Sequence, residues 1–153
     1  MAYTLSGLAE VPGAAFSPGA DTLYAVVARL DSATDSLLWS ADMFETATGQ
    51  LLASLPFPDA VELVDVVLDP ELDRVYVPYR TEQRTVNGED TGCFMAVLDK
   101  ALSSRIAAVP AREILFSNGR GGAAQFDRTT KELHVMHFGT GNEAIKIHTY
   151  DTR

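Results

Sequence analysis

The sequence predicts an all-β protein made of small antiparallel sheets that recur along the chain. Three observations favour this class. One short segment occurs three times, turn-forming residues occupy the same place in each copy, and the flanking apolar stretches alternate as strands do, with hardly any helical periodicity. Repetition of one short segment along a chain is typical of arrays and closed rings of repeated units.

The recurring segment reads "FSPGADTLY", "LDPELDRVY" and "FDRTTKELH". An apolar residue opens each copy and a ring residue follows eight positions later: Phe16 and Tyr24, Leu68 and Tyr76, Phe126 and His134. The copies begin 52 and then 58 residues apart. In the middle of each copy lie Asp, Pro, Gly or Thr, which close turns because Pro presets φ and Asp can bond the backbone two residues on. Each copy is therefore predicted to be a β-hairpin.

A third strand follows each hairpin, in "LLWSADMF", "FMAVLD" and "IKIHTYD", and a fourth follows the first two, in "QLLASLPF" and "RIAAVP". Four antiparallel strands in about 50 residues are typical of one blade of a β-propeller. The sequence thus predicts three propeller blades; an unrelated β-sandwich is the alternative.

The segments "FSPGADTLYAV" and "FETATGQLLASLP" resemble the YVTN and NHL-like class of β-propeller repeats, in which a strand ending in "FSPDG" precedes "LYV". The resemblance covers nearly the whole chain, although the second copy lacks the glycine of the later turn. It implies a propeller architecture and says little about activity, because such folds carry many functions.

The predicted boundaries are 13–60, 61–114 and 115–153 for the three blades, with 1–12 as a strand that completes a blade of a partner. Three blades do not close a ring, and their two end faces are expected to be apolar patches that soluble monomers avoid. A two-fold homodimer of six blades solves this problem. A piece of a longer or multi-chain propeller and a curved open sheet remain alternatives.

Composition excludes several partners. The net charge is −9, with 12 basic residues scattered along the chain, which argues against nucleic acid and anionic membranes. No stretch approaches the ~18 apolar residues of a membrane span, and the N-terminus lacks the pattern of a secretory signal, so a cytoplasmic location is expected. Cys93, the single cysteine, is expected to be a small buried residue at the start of a strand.

Propellers bind ligands at one mouth of their central channel, where the loops between strands two and three lie. The longest such loop is "RTEQRTVNGEDTG" in the second blade, and a loop that grows on a repeated scaffold is where function concentrates. An extended hairpin with Asn87-Gly88 at its tip is the structural alternative. Tyr79, Arg80 and Arg120 are predicted to line this mouth and to bind an anionic or carbonyl-bearing small molecule. Each of them is alternatively an ordinary surface residue.

Asp65 and His137 are the candidate catalytic residues. The positions equivalent to Asp65 are Gly13 and Ala123, so the repeat does not require an acid there; a hydrated acid lining the channel is the alternative. His134 and His137 are three residues apart on a strand and face opposite ways, which disfavours a metal site. No metal or other cofactor is expected.

Two functions follow from these expectations. The first is a small-molecule binding or assembly module with its site at the channel mouth, formed by the homodimer. The second is a metal-independent enzyme, similar to cyclase, isomerase or lactonase-type propellers, that uses channel-lining Asp, His, Tyr and Arg side chains.

Overall fold

A computed structural model describes residues 7–82, 92–110, 123–137 and 146–152. In this part of the chain all regular structure is β-strand, arranged in three antiparallel sheets. The first sheet contains β1 (Glu10–Phe16), β2 (Thr22–Asp31), β3 (Ser36–Glu45) and β4 (Leu51–Pro56). The second contains β5 (Ala60–Leu63), β6 (Val67–Asp69), β7 (Arg74–Thr81), β8 (Cys93–Asp99) and β9 (Arg105–Pro110). The third contains β10 (Ala123–Asp127), β11 (Glu132–His137) and β12 (Lys146–Asp151).

The three predicted hairpins form with the same register. Their inner pairs are Phe16 with Leu23, Leu68 with Val75, and Phe126 with Leu133. The residue after the third strand also behaves alike in all three sheets: the backbone N–H groups of Thr46, Lys100 and Thr152 donate to the carbonyls of Asp21, Asp73 and Lys131. The predicted all-β class with repeated antiparallel sheets is therefore confirmed.

The innermost strand of the second sheet is broken into β5 and β6, and Pro78 explains the break. The Pro78 carbonyl accepts a hydrogen bond from the Val64 N–H (3.0 Å), so its nitrogen, which carries no hydrogen, faces the same strand. The ladder passes from Leu63 opposite Tyr79 to Val67 opposite Tyr76. Three inner-strand residues therefore oppose two on β7, which is the geometry of a β-bulge, and Asp65 lies at its centre.

Two apolar seams hold the sheets together. The first seam lies between the first and second sheets and includes Tyr24, Val26, Val77 and Leu98, all buried. The second seam lies between the second and third sheets, where Tyr76 and Met95 pack with Leu133 and Val135. In both seams the tyrosine that follows the repeated turn belongs to the buried layer, as the alternation of strand side chains requires.

The structure differs from the sequence prediction at the N-terminal boundary. Of residues 1–12, predicted to complete a sheet of a partner, Glu10 to Pro12 form the start of β1 in the chain's own first sheet, with Glu10 opposite Ala28. Residues 1–6 lie outside the described residues, so the rest of this expectation stays a prediction. The register shifts between Glu10 and Gly13, since Pro12 has no N–H to donate. The Pro12–Gly13 pair marks a bulge inside the strand.

The outer faces of the first and third sheets were expected to be exposed apolar patches, and neither face fits that description. On the first sheet Ala25, Val27 and Phe44 are already buried within the single chain and pack with Leu8 and Leu23. On the third sheet the outward face is mixed: His134 lies opposite Thr149 and Met136 opposite Ile147, and of these Ile147 is the exposed large hydrophobic residue. The homodimer therefore stays a prediction, with less support from exposed apolar surface than the sequence suggested.

Candidate ligand-binding site

One edge of the first two sheets gathers their connections, and we call it the connector edge. It contains the start of β3, residues 57–59 between β4 and β5, and the end of β7, where the long loop of the second sheet leaves. Antiparallel pairing places these points at the same end of their sheets. This is the edge at which the sequence predicts a binding site. Residues 83–91 of the long loop lie outside the described residues.

A cleft of about 980 Å³ opens between the two sheets at the connector edge. We call it the connector cleft. The first sheet and the connector contribute Ser36 to Trp39 and Pro58 to Val61, while the second sheet contributes Tyr79, Thr81, Glu82, Phe94, Arg105 and Ala108. The lining is mixed: most of it is aliphatic or aromatic, with one cation, Arg105, and two acids, Asp59 and Glu82. Sites that bind small molecules commonly combine an apolar surface with a few polar groups that orient the ligand.

Tyr79 and Phe94 form the aromatic floor of the connector cleft, and Phe57 packs against Tyr79 from outside the lining. The Tyr79 ring meets Phe57 edge-on, with centroids 5.2 Å apart, and stacks on Phe94 at 5.5 Å. Tyr79 and Phe57 are buried, whereas Phe94 is only partly so. Aromatic pairs at these distances and angles are favourable beyond their burial, so the floor is a preformed and rigid surface.

Arg105 supplies the cation of the cleft. Its guanidinium carbon lies 4.4 Å from the Phe57 ring centroid and 5.0 Å from that of Tyr79, and Nη1 donates to the Tyr79 hydroxyl at 3.0 Å. Its contact with Asp59 is long, 3.5 Å, and the Asp59 side chain is 49% exposed. Burial raises the pKa of Tyr79, although the positive charge of Arg105 opposes that shift. The phenol therefore keeps its proton at neutral pH and accepts from Arg105 while remaining able to donate.

A smaller cleft of about 460 Å³ adjoins the first at Trp39 and is lined by Glu10 and Glu62 on the innermost strands. These two glutamates hold equivalent positions, since Glu10 lies opposite Ala28 and Glu62 opposite Arg80. Arg80 forms an ion pair with Glu62 at 3.2 Å. Burial raises the pKa of Glu62, Arg80 partly offsets this, and the nearby charge of Glu10 adds to it.

Asp65 lies between the innermost strands of all three sheets. One carboxylate oxygen accepts the Val66 N–H and the other accepts the Ala124 N–H of the third sheet, both at 2.8 Å. A Cβ at Gly13 of the first sheet would lie 2.2 Å from the same carboxylate and 2.7 Å from the Asp65 Cα. Burial raises the pKa of Asp65, and the two backbone donors oppose the rise. These contacts explain an acid at this position; a catalytic role remains a prediction.

The structure thus places the sequence-predicted residues in three environments. Tyr79 lines the connector cleft, Arg80 points the other way along β7 and pairs with Glu62 beside the smaller cleft, and Asp65 joins the inner strands. Arg120 lies outside the described residues, and of His137 only the backbone, at the end of β11, is described. The structure therefore does not bring these five residues into one described site.

Sequence reasoning did not single out Arg105, which lines the cleft, or Phe57, which supports its aromatic floor. Arg105 opens β9 of the same sheet as Tyr79, whereas Phe57 follows β4 of the first sheet. Nothing in their local patterns indicates that both contact Tyr79. The available signal was "PFPD" at a predicted strand-to-strand connection, because the residue between two prolines has a restricted backbone and can hold its ring in one place.

Among the described residues no group of three or more His, Cys, Asp and Glu side chains is arranged to hold a metal ion. The same part of the chain contains no helix of the length and apolarity needed to cross a bilayer. Cys93 is buried at the first position of β8, as its sequence context predicted.

Comparisons with known proteins identify the fold. No family model and no curated protein sequence matches the chain.

The structure is similar to a chain in the crystal structure of a nidogen/laminin complex, with a TM-score of 0.58 and 15% identity, over 92% of this chain and 44% of that one. It is also similar to a chain of Kuenenia stuttgartiensis hydrazine synthase, with a TM-score of 0.58 and 19% identity, over 78% of this chain and 35% of that one. The chain spans less than half the length of each of these neighbours. Since both neighbours are β-propeller proteins, the chain has an all-β, propeller-like fold.

Proposed function

We propose that this chain is a propeller-type module that binds a small molecule in the connector cleft. The observation that carries the proposal is the cleft itself: about 980 Å³ between two sheets, with a rigid aromatic floor and a single guanidinium positioned above it. It lies where the connections between strands gather, which is where propeller sites are expected.

The lining favours a ligand with a flat apolar part and a carbonyl or carboxylate group. Phe94 and the exposed Leu38 offer apolar surface. Arg105 contributes the donors, because its contact to Asp59 is long and solvent-exposed and such pairs are weak. A ligand oxygen that replaces Asp59 would gain charge-assisted hydrogen bonds from the guanidinium, and the Tyr79 hydroxyl offers one further donor.

Two neighbouring alanines on β9 provide a matched test. Ala108 lines the connector cleft, and Ala107 faces the second seam from the other side of the same strand. We expect an NMR fragment screen of carboxylate- and carbonyl-bearing aromatics to give ligands that shift the resonances of residues 36–39 and 58–61. Ala108→Phe should abolish this binding and Ala107→Phe should leave it unchanged. A screen without ligands tighter than about 1 mM, or ligands insensitive to Ala108→Phe, would overturn the proposal.

We also propose that the chain belongs to a YVTN/NHL-like repeat class and that two copies close a six-bladed ring. The equivalent registers of the three hairpins support the first statement, and the shorter third sheet supports the second, because its outer edge lacks the fourth strand that the other sheets have in the described part. Light scattering tests the ring: a mass twice the 16.5 kDa of one chain is expected, and a monomer at all concentrations contradicts it.

A metal-independent enzyme is the second candidate, and the observation in its favour is Glu62. A carboxyl group with a raised pKa beside Arg80 and a cleft is suited to proton transfer. Hydrolysis of a panel of lactones and aryl esters measures this directly. Turnover that Glu62→Gln abolishes while the fold persists favours the enzyme, and its absence across the panel leaves the binding function as the better proposal.

A further inference from the structure

The connector cleft and the smaller cleft beside it differ in the charges that they offer a ligand. Trp39 is buried and lines both clefts, so it forms the wall at which they meet. On one side of this wall Arg105 supplies the cation of the connector cleft. On the other side the charged residues of the lining are two acids, Glu10 and Glu62. A ligand that extends past Trp39 therefore leaves a cation and enters an acidic cleft.

The charge of the two glutamates is only partly compensated. Oε2 of Glu62 lies 3.2 Å from Nη2 of Arg80, but this oxygen is buried and accepts no hydrogen bond of good geometry from any described residue. No ion pair between described residues involves Glu10. Burial raises the pKa of Glu62, Arg80 opposes that shift, and the charge of Glu10 adds to it. The two carboxylates therefore repel each other, and a cation bound in this cleft would relieve the repulsion.

The chain between the two clefts sets the distance between the cation and the acids. The Arg105 guanidinium contacts Asp59 at 3.5 Å. Asp59 directly precedes β5, and Glu62 is the third residue of that strand. Because each residue of an extended chain spans at most about 3.6 Å, the charges at Asp59 and Glu62 are on the order of 10 Å apart. Two linked aromatic rings, or a short peptide, span such a distance.

We propose that the ligand is a zwitterion whose carboxylate binds Arg105, whose flat apolar body passes Trp39, and whose ammonium group binds Glu62 and Glu10. This inference rests on the proposed binding function of the connector cleft and extends it by a second charged end. An ammonium group donates three hydrogen bonds, and such bonds to carboxylates are the strong ones. A rigid body between the two charges keeps the entropy cost of binding low.

The test compares two biphenyl probes on the full chain by NMR titration. The first carries a carboxylate at one end and an aminomethyl group at the other, and the second has a methyl group in place of the aminomethyl group. We expect the first probe to bind at least about tenfold more tightly, as a charge-assisted contact requires. It should also shift the resonances of residues 10–12 and 62–64, which line the smaller cleft.

A matched pair of variants locates the second charge. Glu62→Gln and Asp35→Asn each replace one acid by its amide, but Asp35 lies in the exposed turn between β2 and β3 and lines neither cleft. Glu62→Gln should reduce the tenfold difference between the probes to within about twofold, and Asp35→Asn should preserve it. Glu10→Gln, at an exposed position, should reduce it about threefold. This variant keeps the test valid if the loss of Arg80's partner unfolds Glu62→Gln.

The two proposals fail in different ways. Equal affinities of the two probes for the wild type, or a difference that neither Glu62→Gln nor Glu10→Gln lowers, would overturn the zwitterion. The connector cleft would still be a binding site if the methyl probe bound and Ala108→Phe abolished its binding. If neither probe binds more tightly than about 1 mM, the proposed function and this inference are both wrong.

Discussion

The two seams are built from equivalent residues but are not equally complete. In the described residues the first seam has 14 buried members and the second has 7. The first is bounded by two four-stranded layers, whereas the second meets a three-stranded sheet. In the first seam the Tyr24 hydroxyl donates to the Lys100 carbonyl. In the second, the equivalent Tyr76 hydroxyl makes no hydrogen bond of good geometry within the part of the chain that the structure describes, although Thr152 and Arg74 lie near it.

This difference shows that the fourth strand does more than widen a sheet. Its first residue, Arg105, reaches back between the sheets to Phe57 and Tyr79, while the carbonyl of Lys100, directly after the third strand, accepts the hydroxyl proton of Tyr24 in the neighbouring sheet. A seam without this strand keeps its apolar centre but, in the described part of the chain, lacks a cation equivalent to Arg105 over its aromatic residues. Each prediction below changes a residue that belongs to one seam or links both.

The largest effect is expected at Gly13, because it meets Asp65 where the two seams converge. A Cβ there would lie 2.2 Å from the Asp65 carboxylate and 2.7 Å from its Cα, so Gly13→Ala must displace backbone. We expect a loss of about 3 kcal/mol in the free energy of unfolding, measured by urea denaturation.

Gly19→Ala is the matched control. The nearest atom to a Cβ at Gly19 is an Asp21 carboxylate oxygen at 3.8 Å, an ordinary contact, and we expect a change within about 0.5 kcal/mol. Equal stability losses for the two alanine variants would show that the inner strands are not packed as closely as the structure has them.

The next effect concerns Arg105 in the first seam. Arg105→Met removes the cation–π contacts and leaves the Tyr79 hydroxyl without its donor, so a loss of about 2 kcal/mol is expected. Asp59→Asn removes only the long, exposed ion pair and should change stability by less than about 0.5 kcal/mol. If both variants unfold at the same urea concentration, the aromatic cluster does not depend on the guanidinium.

The fold was predictable because each copy of the repeat contains residues that form a tight turn between two strands. "SPGAD", "DPELD" and "DRTTK" close hairpins with equivalent registers, and alternation fixes which residues face a seam. The break between β5 and β6 was not predicted, because it depends on which side of β7 the missing Pro78 N–H faces, and this is decided only when the strands pair. The bulge at Pro12 was missed for the same reason.

The two tyrosines give the most direct test of the comparison. Tyr24→Phe removes a hydrogen bond that is made and should lower the free energy of unfolding by about 1 kcal/mol. Tyr76→Phe removes a buried hydroxyl that makes no hydrogen bond of good geometry to any described residue and should leave stability unchanged or raise it slightly. Urea denaturation of both variants measures the difference, and a larger loss for Tyr76→Phe would contradict the assignment of the second seam as incomplete.

The candidate site was predictable only in its position along the sheets. Tyr79 was placed at the correct edge because it ends the second strand of its repeat, and Thr81 and Glu82, where the long loop begins, also line the cleft. Arg105 reaches Tyr79 from β9, and Phe57 reaches it from the connector after β4. No local sequence pattern indicates either contact. Asp65 was recognised as exceptional, but its two backbone donors come from a bulge and from the next sheet.

The smallest effect depends on pH and concerns the turn that gives Tyr24 its acceptor. Burial alone would raise the pKa of Asp99, but hydrogen bonds from Ser103 and Ser104 outweigh it and hold the pKa at about 2. Because the folded-state pKa lies below the usual 3.8, the carboxylate stabilises the fold above about pH 4, and this contribution is lost as the pH falls through about 2. Solvent screening limits it to less than about 1 kcal/mol.

The wild type should therefore exceed Asp99→Asn in unfolding free energy at pH 5 and approach it at pH 2.5. Ser103→Ala, which removes one donor at 3.0 Å, should differ less from the wild type in unfolding free energy at pH 5 than Asp99→Asn does. A gap that is the same at both pH values would mean that the Asp99 charge does not hold this turn, and that the Lys100 carbonyl is positioned by the β8–β9 ladder alone.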